Sequence, residues 1–491
     1  MRSIPSTQLV AASALVLLVA CGRREAVSTG TAITNVSVID VRSGSVLPGR
    51  TVVIQGGRIT AVAPAAEVAL EPGVTRIPGD GKYLIPGLWD MHVHLAPMLG
   101  GPDILPLFTV YGVTGVRDLG SQDSIYVWQR EVAQGRRVGP RIVAAGPMLV
   151  SHTTTEAAGP RAPITSVQSE SDARAAVRAR RAEGAQLVKI QDSFLPRAAW
   201  LAAGAEAAAQ GLPIAAHVPM DLGLAEAIGA GLRNIEHAIG LAVAVVPGEV
   251  ERRRRIMECA RPPGARHADI MAGYAALFEI EAEVWDLPAD SAWRAIADLM
   301  VRHKVAIDPT LTDLRALATA ASGRWSQDPR LSYLPAAIRA SWLAEISGPL
   351  FSPENTRRAE VMLERLPRIV AELHRRGVTI LAGTDAGAPF DFPGSDTHSE
   401  LALLVQGGLT PLAALRAATL NPAEFMEMAD SAGTVEVGKL ADLVLLDANP
   451  LTDGANSARI AGVVQAGRYF DRGGLDSLLA TVAERFKRAD P

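Results

Sequence analysis

The sequence predicts an α/β chain, a (β/α)8 (TIM) barrel carrying a small β-sandwich lobe built from both chain ends. Two observations carry this. Between residues 85 and 429 short apolar runs alternate with Ala/Leu/Arg-rich stretches of helical composition, and outside that region the chain turns to short β-branched runs. A third observation, that histidines gather at the ends of the apolar runs, says what the barrel is for.

The composition permits such a fold. The chain has 491 residues, 48% hydrophobic and 20% charged, enough apolar surface for a large core, which excludes wholesale disorder. Net charge is −4 and the basic run 252–255 is isolated, so no phosphate-tracking surface is visible and nucleic-acid binding is not expected. Cys21 and Cys259 are the only cysteines, too few for a disulfide framework or a cysteine-rich zinc site. A metal must therefore be held by histidine, carboxylate or a modified side chain.

Residues 1–20 read as an address. Arg2 is followed by an apolar run, residues 9–20, too short to span a bilayer as a mature helix, and it ends in Leu18-Val19-Ala20-Cys21. Small residues before a cysteine resemble a bacterial lipobox, which implies cleavage before Cys21 and lipidation of that residue; an ordinary signal peptide with a chance cysteine is the alternative. Gly22 follows rather than an aspartate. By analogy with Gram-negative lipoproteins this favours an exported protein anchored in the outer membrane and facing the periplasm. Residues 21–30 then serve as a linker.

The lobe spans residues 31–84 and 430–473. Strands are expected at 32–41, 51–55 and 58–62, the last two joined by the Gly56-Gly57 hairpin, and again at 433–437, 442–447 and 460–468. The two ends share one sheet. A helix is expected over 474–491.

The barrel spans residues 85–429. Its strands begin near Leu88, Val113, Arg141, Gln186, Pro213, Arg233, Lys304 and Val378. The longest insertion, residues 240–301, follows the sixth strand and looks helical, either a lid or a decoration.

Chemistry collects at the strand ends. In Asp90-Met91-His92-Val93-His94 the two histidines are two apart, so on a strand both imidazoles face one side and can reach one ion. His217 ends the fifth strand, His237 the sixth, and Asp385 follows the eighth, each where a barrel carries its active-site face. Lys189 stands inside Leu187-Val188-Lys189-Ile190 at the end of the fourth strand, where a charged lysine is expensive to bury. Either its stem snorkels to solvent, or the desolvated amine loses its proton and adds carbon dioxide as a carbamate, a carboxylate-like bridge between cations.

These residues resemble the amidohydrolase superfamily, in the binuclear branch near imidazolonepropionase-like enzymes and microbial dipeptidases. The motifs that carry the resemblance are Pro86-Gly87-Leu88-Trp89-Asp90-Met91-His92-Val93-His94, Gly383-Thr384-Asp385-Ala386 and Gly438-Lys439-Leu440-Ala441-Asp442-Leu443-Val444. The resemblance implies two divalent metal ions, zinc by ligand chemistry: one on His92, His94 and Asp385, the other on His217 and His237, with carbamylated Lys189 and a hydroxide bridging them. It implies attack of that hydroxide on an amide-type C–N bond of a small-molecule substrate, a dipeptide or N-acyl amino acid, with Asp385 taking the water proton and delivering it to the departing amine.

Two further histidines stay open at this level. His152, after the third strand, either contacts substrate or is a plain loop residue, and His398 either touches the site or begins a helix. His267, His303 and His374 read as surface residues. The alternatives to a binuclear amidase are a mononuclear imidazolonepropionase- or deaminase-like hydrolase, a lactonase-like hydrolase on the same ligands, and a non-catalytic binding lipoprotein. A bridging lysine argues against the first, and the full set of six metal-site residues against the last.

Overall fold

The computed structural model describes residues 26–488 apart from 97–98, 153–162, 263, 285–289 and 349–350. The expected leader and Cys21 lie outside the described residues. The chain opens with β1 (Thr31–Ile39), β2 (Val46–Gln55), β3 (Arg58–Pro64), β4 (Thr75–Pro78) and β5 (Tyr83–Pro86). It continues through β6 (Leu88–Val93), β7 (Val113–Asp118), β8 (Arg141–Ala144), β9 (Met148–Val150), β10 (Ile164–Ser166), β11 (Val188–Ile190), β12 (Ile214–Ala216), β13 (Leu232–Glu236) and β14 (Ala306–Asp308), interleaved with helices. It returns to β15 (Leu443–Leu446), β16 (Ile460–Gln465) and β17 (Arg468–Asp471) before a helix at Arg472–Arg488.

Strands from both ends meet in one eight-stranded mixed sheet, ordered β17-β16-β15-β5-β1-β2-β3 with β4 alongside β1. The joint is β5, antiparallel to β15 and parallel to β1. The expected β-sandwich is therefore corrected to a single sheet, because β5 supplies partners on both edges and leaves no break at which a second sheet would begin. One apolar cluster on it draws Ile33, Val36 and Val52 from the first end and Leu443 and Val464 from the second. The β2–β3 turn is the expected Gly-Gly hairpin, with φ of 55° at Gly56 and 75° at Gly57, the left-handed pair a type I′ turn requires. The strand expected at 433–437 does not form: Gly433 has φ 87°, which breaks an extended run, and the chain there bends.

The central strands are parallel. β6, β7 and β8 form one sheet, and β10-β9-β11-β12-β13-β14 form another. These ladders do not close into a barrel. At one seam β9 takes the end of β11, pairing Leu149 with Ile190, so β8 reaches only the start of that segment through Gln186 N–H to Ala144 O at 3.0 Å. At the other, residues 379–386 take the place expected of the eighth strand but make only isolated bridges, Ile380 with Ile307 and Ala386 with Val93. Asp385 has φ 61°, which an extended strand cannot contain.

A large apolar core packs the helices around these strands, with Trp200, Phe108 and Phe194 wholly buried. The region 240–301 carries helices Glu249–Ala260, His267–Val284 and Asp290–Arg302.

Candidate functional site

All six residues of β6 are buried, and the alternation of a strand sends Asp90 and His92 to one side with His94 just beyond the last paired residue. Lys189, central in β11, is 1% exposed, while Val188 and Ile190 beside it join the apolar core. His217 follows β12 and His237 follows β13, the latter with φ 57°. Thr310 and Asp385 also have positive φ, 44° and 61°. Left-handed conformations in non-glycine residues store strain that the surrounding structure must hold, and here they cluster on one spot. Gly383 is needed for that closeness: a Cβ there would sit 2.6 Å from His92 Cβ and 2.4 Å from Asp308 Oδ2.

The structure brings the six expected residues together. Asp385 Oδ1 lies 3.1 Å from His94 Nε2 and 3.4 Å from His92 Nε2. Ring centres are 4.5 Å apart for His92 and His237 and 5.1 Å for His217 and His237. Ligand atoms of His92, His237 and Asp385 all fall within 4.8 Å of one another. Burial pushes Lys189 down to about 8, and the carboxylates of Glu236 and Asp385 oppose that shift, so the amine stands among these groups.

Each imidazole is held by its Nδ1. His92 Nδ1 donates to Glu236 Oε2 at 2.9 Å, His94 Nδ1 to the Gly120 carbonyl at 3.3 Å, and His217 Nδ1 to the Tyr274 hydroxyl at 3.0 Å, while His237 Nδ1 meets Thr310 Oγ1 at 2.6 Å. Anchoring one ring nitrogen is how proteins aim the other at a cation. The Nε2 atoms of His92 and His217 and the Nζ of Lys189 are buried with no hydrogen-bond partner among the described residues. Buried polar atoms are seldom left so, and nitrogen donors around a carboxylate suit a divalent ion. The residues present fit a metal centre.

Burial lowers His92 to about 3 and His237 to about 4, so both rings stay neutral and able to ligate at ordinary pH. Burial also acts on Asp385, in the opposite sense, but the neighbouring imidazoles win and hold its carboxyl well below the usual range.

Beneath the cluster lies a charged layer that sequence reasoning missed. Burial would raise Glu236, but Arg117, Lys189 and His92 outweigh it and keep Glu236 ionised. Arg117 Nη2 donates to Glu236 Oε1 at 3.0 Å, and Arg117 Nε to the Met91 carbonyl at 2.6 Å. Asp308, wholly buried, is pushed well above the carboxylate range by desolvation and by Glu236, and its Oδ2 stands 3.5 Å from Arg117 Nη2. Asp90 joins β6 to the eighth segment, accepting from Thr384 N at 3.0 Å and Thr384 Oγ1 at 2.7 Å. A charged residue inside an apolar strand run was a usable signal for Arg117, as it was for Lys189. Tyr274 had none, because it comes from the insertion.

The remaining histidines fall elsewhere. His152 is buried, with Nδ1 3.6 Å from Asp192 Oδ2 and its ring 5.5 Å from that of His267. His398 has both nitrogens engaged, Nδ1 with Ser457 Oγ at 3.0 Å and Nε2 donating to the Tyr111 carbonyl at 2.9 Å. His267 and His303 are exposed and His374 is half-buried.

Residues 331–469 match the Amidohydrolase family. An ochratoxinase from Aspergillus niger is 42% identical over 81 residues, 16% of this chain and 16% of that protein. The curated relatives are thus matched over a small part of their length, about a tenth for an adenine deaminase of Paracoccus denitrificans. Fold similarity extends much further. A bottromycin amidohydrolase superposes with TM-score 0.67 at 24% identity over 93% of this chain and 90% of its own, and a Xaa-Pro dipeptidase with bound methionine in its active site with TM-score 0.63 at 21% over 90% and 99%. Residues 331–469 thus carry an Amidohydrolase family domain, and the fold of nine-tenths of the chain is similar to that of a bottromycin amidohydrolase and a Xaa-Pro dipeptidase.

Proposed function

We propose that this protein is a metal-dependent hydrolase of amide-type C–N bonds, acting on a dipeptide or N-acyl amino acid, on a (β/α)8 scaffold opened at two seams. The observation that carries this is the convergence of four imidazoles, each fixed through Nδ1, on Asp385 and the buried amine of Lys189. His92, His94 and Asp385 would hold one divalent cation and His217 and His237 a second, zinc in both places, with a carbon dioxide-derived carbamate of Lys189 between them. When bound, these ions supply charge that polarises a substrate carbonyl and acidifies water.

The chain's own residues do the rest. Asp385, between His92 and His94, accepts the proton of the attacking water and passes it to the departing amine. Glu236, Thr310 and Tyr274 keep the rings from turning. Similarity to an ochratoxinase and to a Xaa-Pro dipeptidase supports a carbon–nitrogen hydrolase. The protein is further proposed to be an exported lipoprotein, anchored through Cys21 in the outer membrane and facing the periplasm.

Protein produced with zinc and bicarbonate should carry about two equivalents of metal and hydrolyse members of a dipeptide and N-acyl amino acid panel. Full activity with one tightly bound ion would overturn the two-ion site. Cys21→Ser should abolish lipid labelling, and unchanged membrane retention in that variant would overturn the anchor.

A further inference from the structure

A small pocket, open to solvent, leads off from His237. Three separate parts of the chain wall it: Ile239 and Phe278 from the segment after β13 and the insertion, Leu314 and Leu317 from helix Leu311–Ala318, and Met362 with Arg358 from helix Pro353–Arg375. Leu314 and Met362 are buried, whereas Ile239, Phe278 and Leu317 are half-buried, so an apolar surface is left for a ligand to cover beside the candidate metal ligands.

Arg358 gives this apolar wall one cationic point. Its side chain is 17% exposed, its Nη1 donates to Asn355 Oδ1 at 3.4 Å and its Nη2 to Glu354 Oε1 at 2.6 Å, but the Glu354 side chain is 66% exposed. A helical pair with one partner in water is weakly held, so a ligand carboxylate can displace or join Glu354 without leaving a buried charge behind. A guanidinium is also the side chain best shaped to grip a carboxylate.

We propose that this pocket takes the C-terminal residue of the substrate, with a large apolar side chain against Phe278, Leu314, Leu317 and Met362 and the free carboxylate on Arg358. The substrates are then dipeptides or N-acyl amino acids ending in leucine, methionine or phenylalanine. This rests on the amide-hydrolase reading of the cluster. The acyl C–N bond breaks, the hydroxyl of water goes to the acyl carbon and the proton to nitrogen, and the apolar amino acid leaves with its carboxylate intact.

The test compares kcat/KM of the zinc-loaded protein for Gly-Leu, Gly-Gly and Gly-Leu-amide, with native melting confirmed for every variant. Expected are preferences of roughly 30-fold for Gly-Leu over Gly-Gly and about 10-fold over the amide, the scale set by one apolar pocket and one ionic contact. Phe278→Ala and Leu317→Ala should shrink the first ratio. Arg358→Met should bring the second towards one, and Arg358→Lys should restore part of it. Equal turnover of Gly-Leu and Gly-Gly would overturn the pocket and leave the hydrolase reading standing. If no amide is cleaved, the hydrolase reading falls, and calorimetric binding decides the pocket: leucine binding above glycine, lost in Arg358→Met, supports it, and no preference overturns it.

Discussion

Glu236 and His92, 144 residues apart in sequence, form a wholly buried hydrogen bond of 2.9 Å from Nδ1 to Oε2. Because Glu236 is ionised it can only accept, so the His92 proton is held on Nδ1 and the Nε2 lone pair is left facing Asp385. One carboxylate thereby sets both the tautomer and the orientation of a candidate ligand.

Glu236→Gln should therefore act on the metal and the fold together. Affinity for zinc, read by chelator competition, should fall by about 10-fold to 100-fold as the ring loses its anchor. Arg117, 1% exposed, would lose its charged partner, and breaking a buried pair in this way costs about 3–5 kcal/mol. Wild-type metal affinity in a folded Glu236→Gln protein would remove Glu236 from the site.

Asp385→Asn should separate metal binding from turnover. Asparagine keeps the size of the side chain and one oxygen but cannot accept a proton, so kcat should drop by about 10²-fold to 10⁴-fold while much of the metal stays. His217→Asn should instead lose metal first. Metal content and kcat are measured on the same preparations, and near-normal kcat in Asp385→Asn would sink its role as proton carrier.

Tyr274 tests whether the insertion belongs to the site. Its hydroxyl accepts from His217 Nδ1 and donates to the Gln191 carbonyl at 3.3 Å. Tyr274→Phe leaves the ring nitrogen without that partner, and zinc affinity should weaken by about 10-fold or more, as for other groups that orient a ligand. An unchanged zinc titration would mean that the helix merely packs there.

Glu281, wholly buried on the same helix, accepts from Gly240 N at 2.8 Å and is pushed up from 4.5 to about 8 by desolvation. An acid raised on folding binds its proton more tightly in the native state. Its contribution to stability is complete below pH 4.5 and is lost as pH rises through about 8. Glu281→Gln cannot ionise, so relative to wild type it should gain stability across that window, up to about 1.4 kcal/mol per pH unit. Denaturation at pH 5 and pH 8.5 reads the difference, and parallel losses in both proteins would refute it.

His398→Ala should reduce stability and spare catalysis. The ring bonds Tyr111 and Ser457, and losing a buried polar link costs about 1–3 kcal/mol. A large fall in kcat/KM with unchanged melting would return His398 to the substrate.

Much of this was legible in order along the chain, because it is local. The strand starts near Leu88, Val113 and Arg141, the Gly56-Gly57 hairpin, and the His92/His94 pair each depend on neighbours a few residues away, where periodicity and turn chemistry operate. Lys189 was visible for the same reason, as a charge inside an apolar run.

What only the tertiary structure decided is what meets across distance. That β5 joins the two chain ends into one sheet, that β9 occupies the edge β8 would have used, and that Asp385 turns out of the extended region all depend on which strands compete for the same backbone groups. The anchors of the candidate ligands belong to the same class. Glu236 lies 144 residues from His92, Tyr274 57 from His217 and Thr310 73 from His237. The sequence by itself named the candidate metal ligands and placed the four histidines at or beside strand ends. Their orientation, their protonation and the wall of the pocket beside them come from contacts between distant segments, whose energies leave no periodic trace in either segment alone.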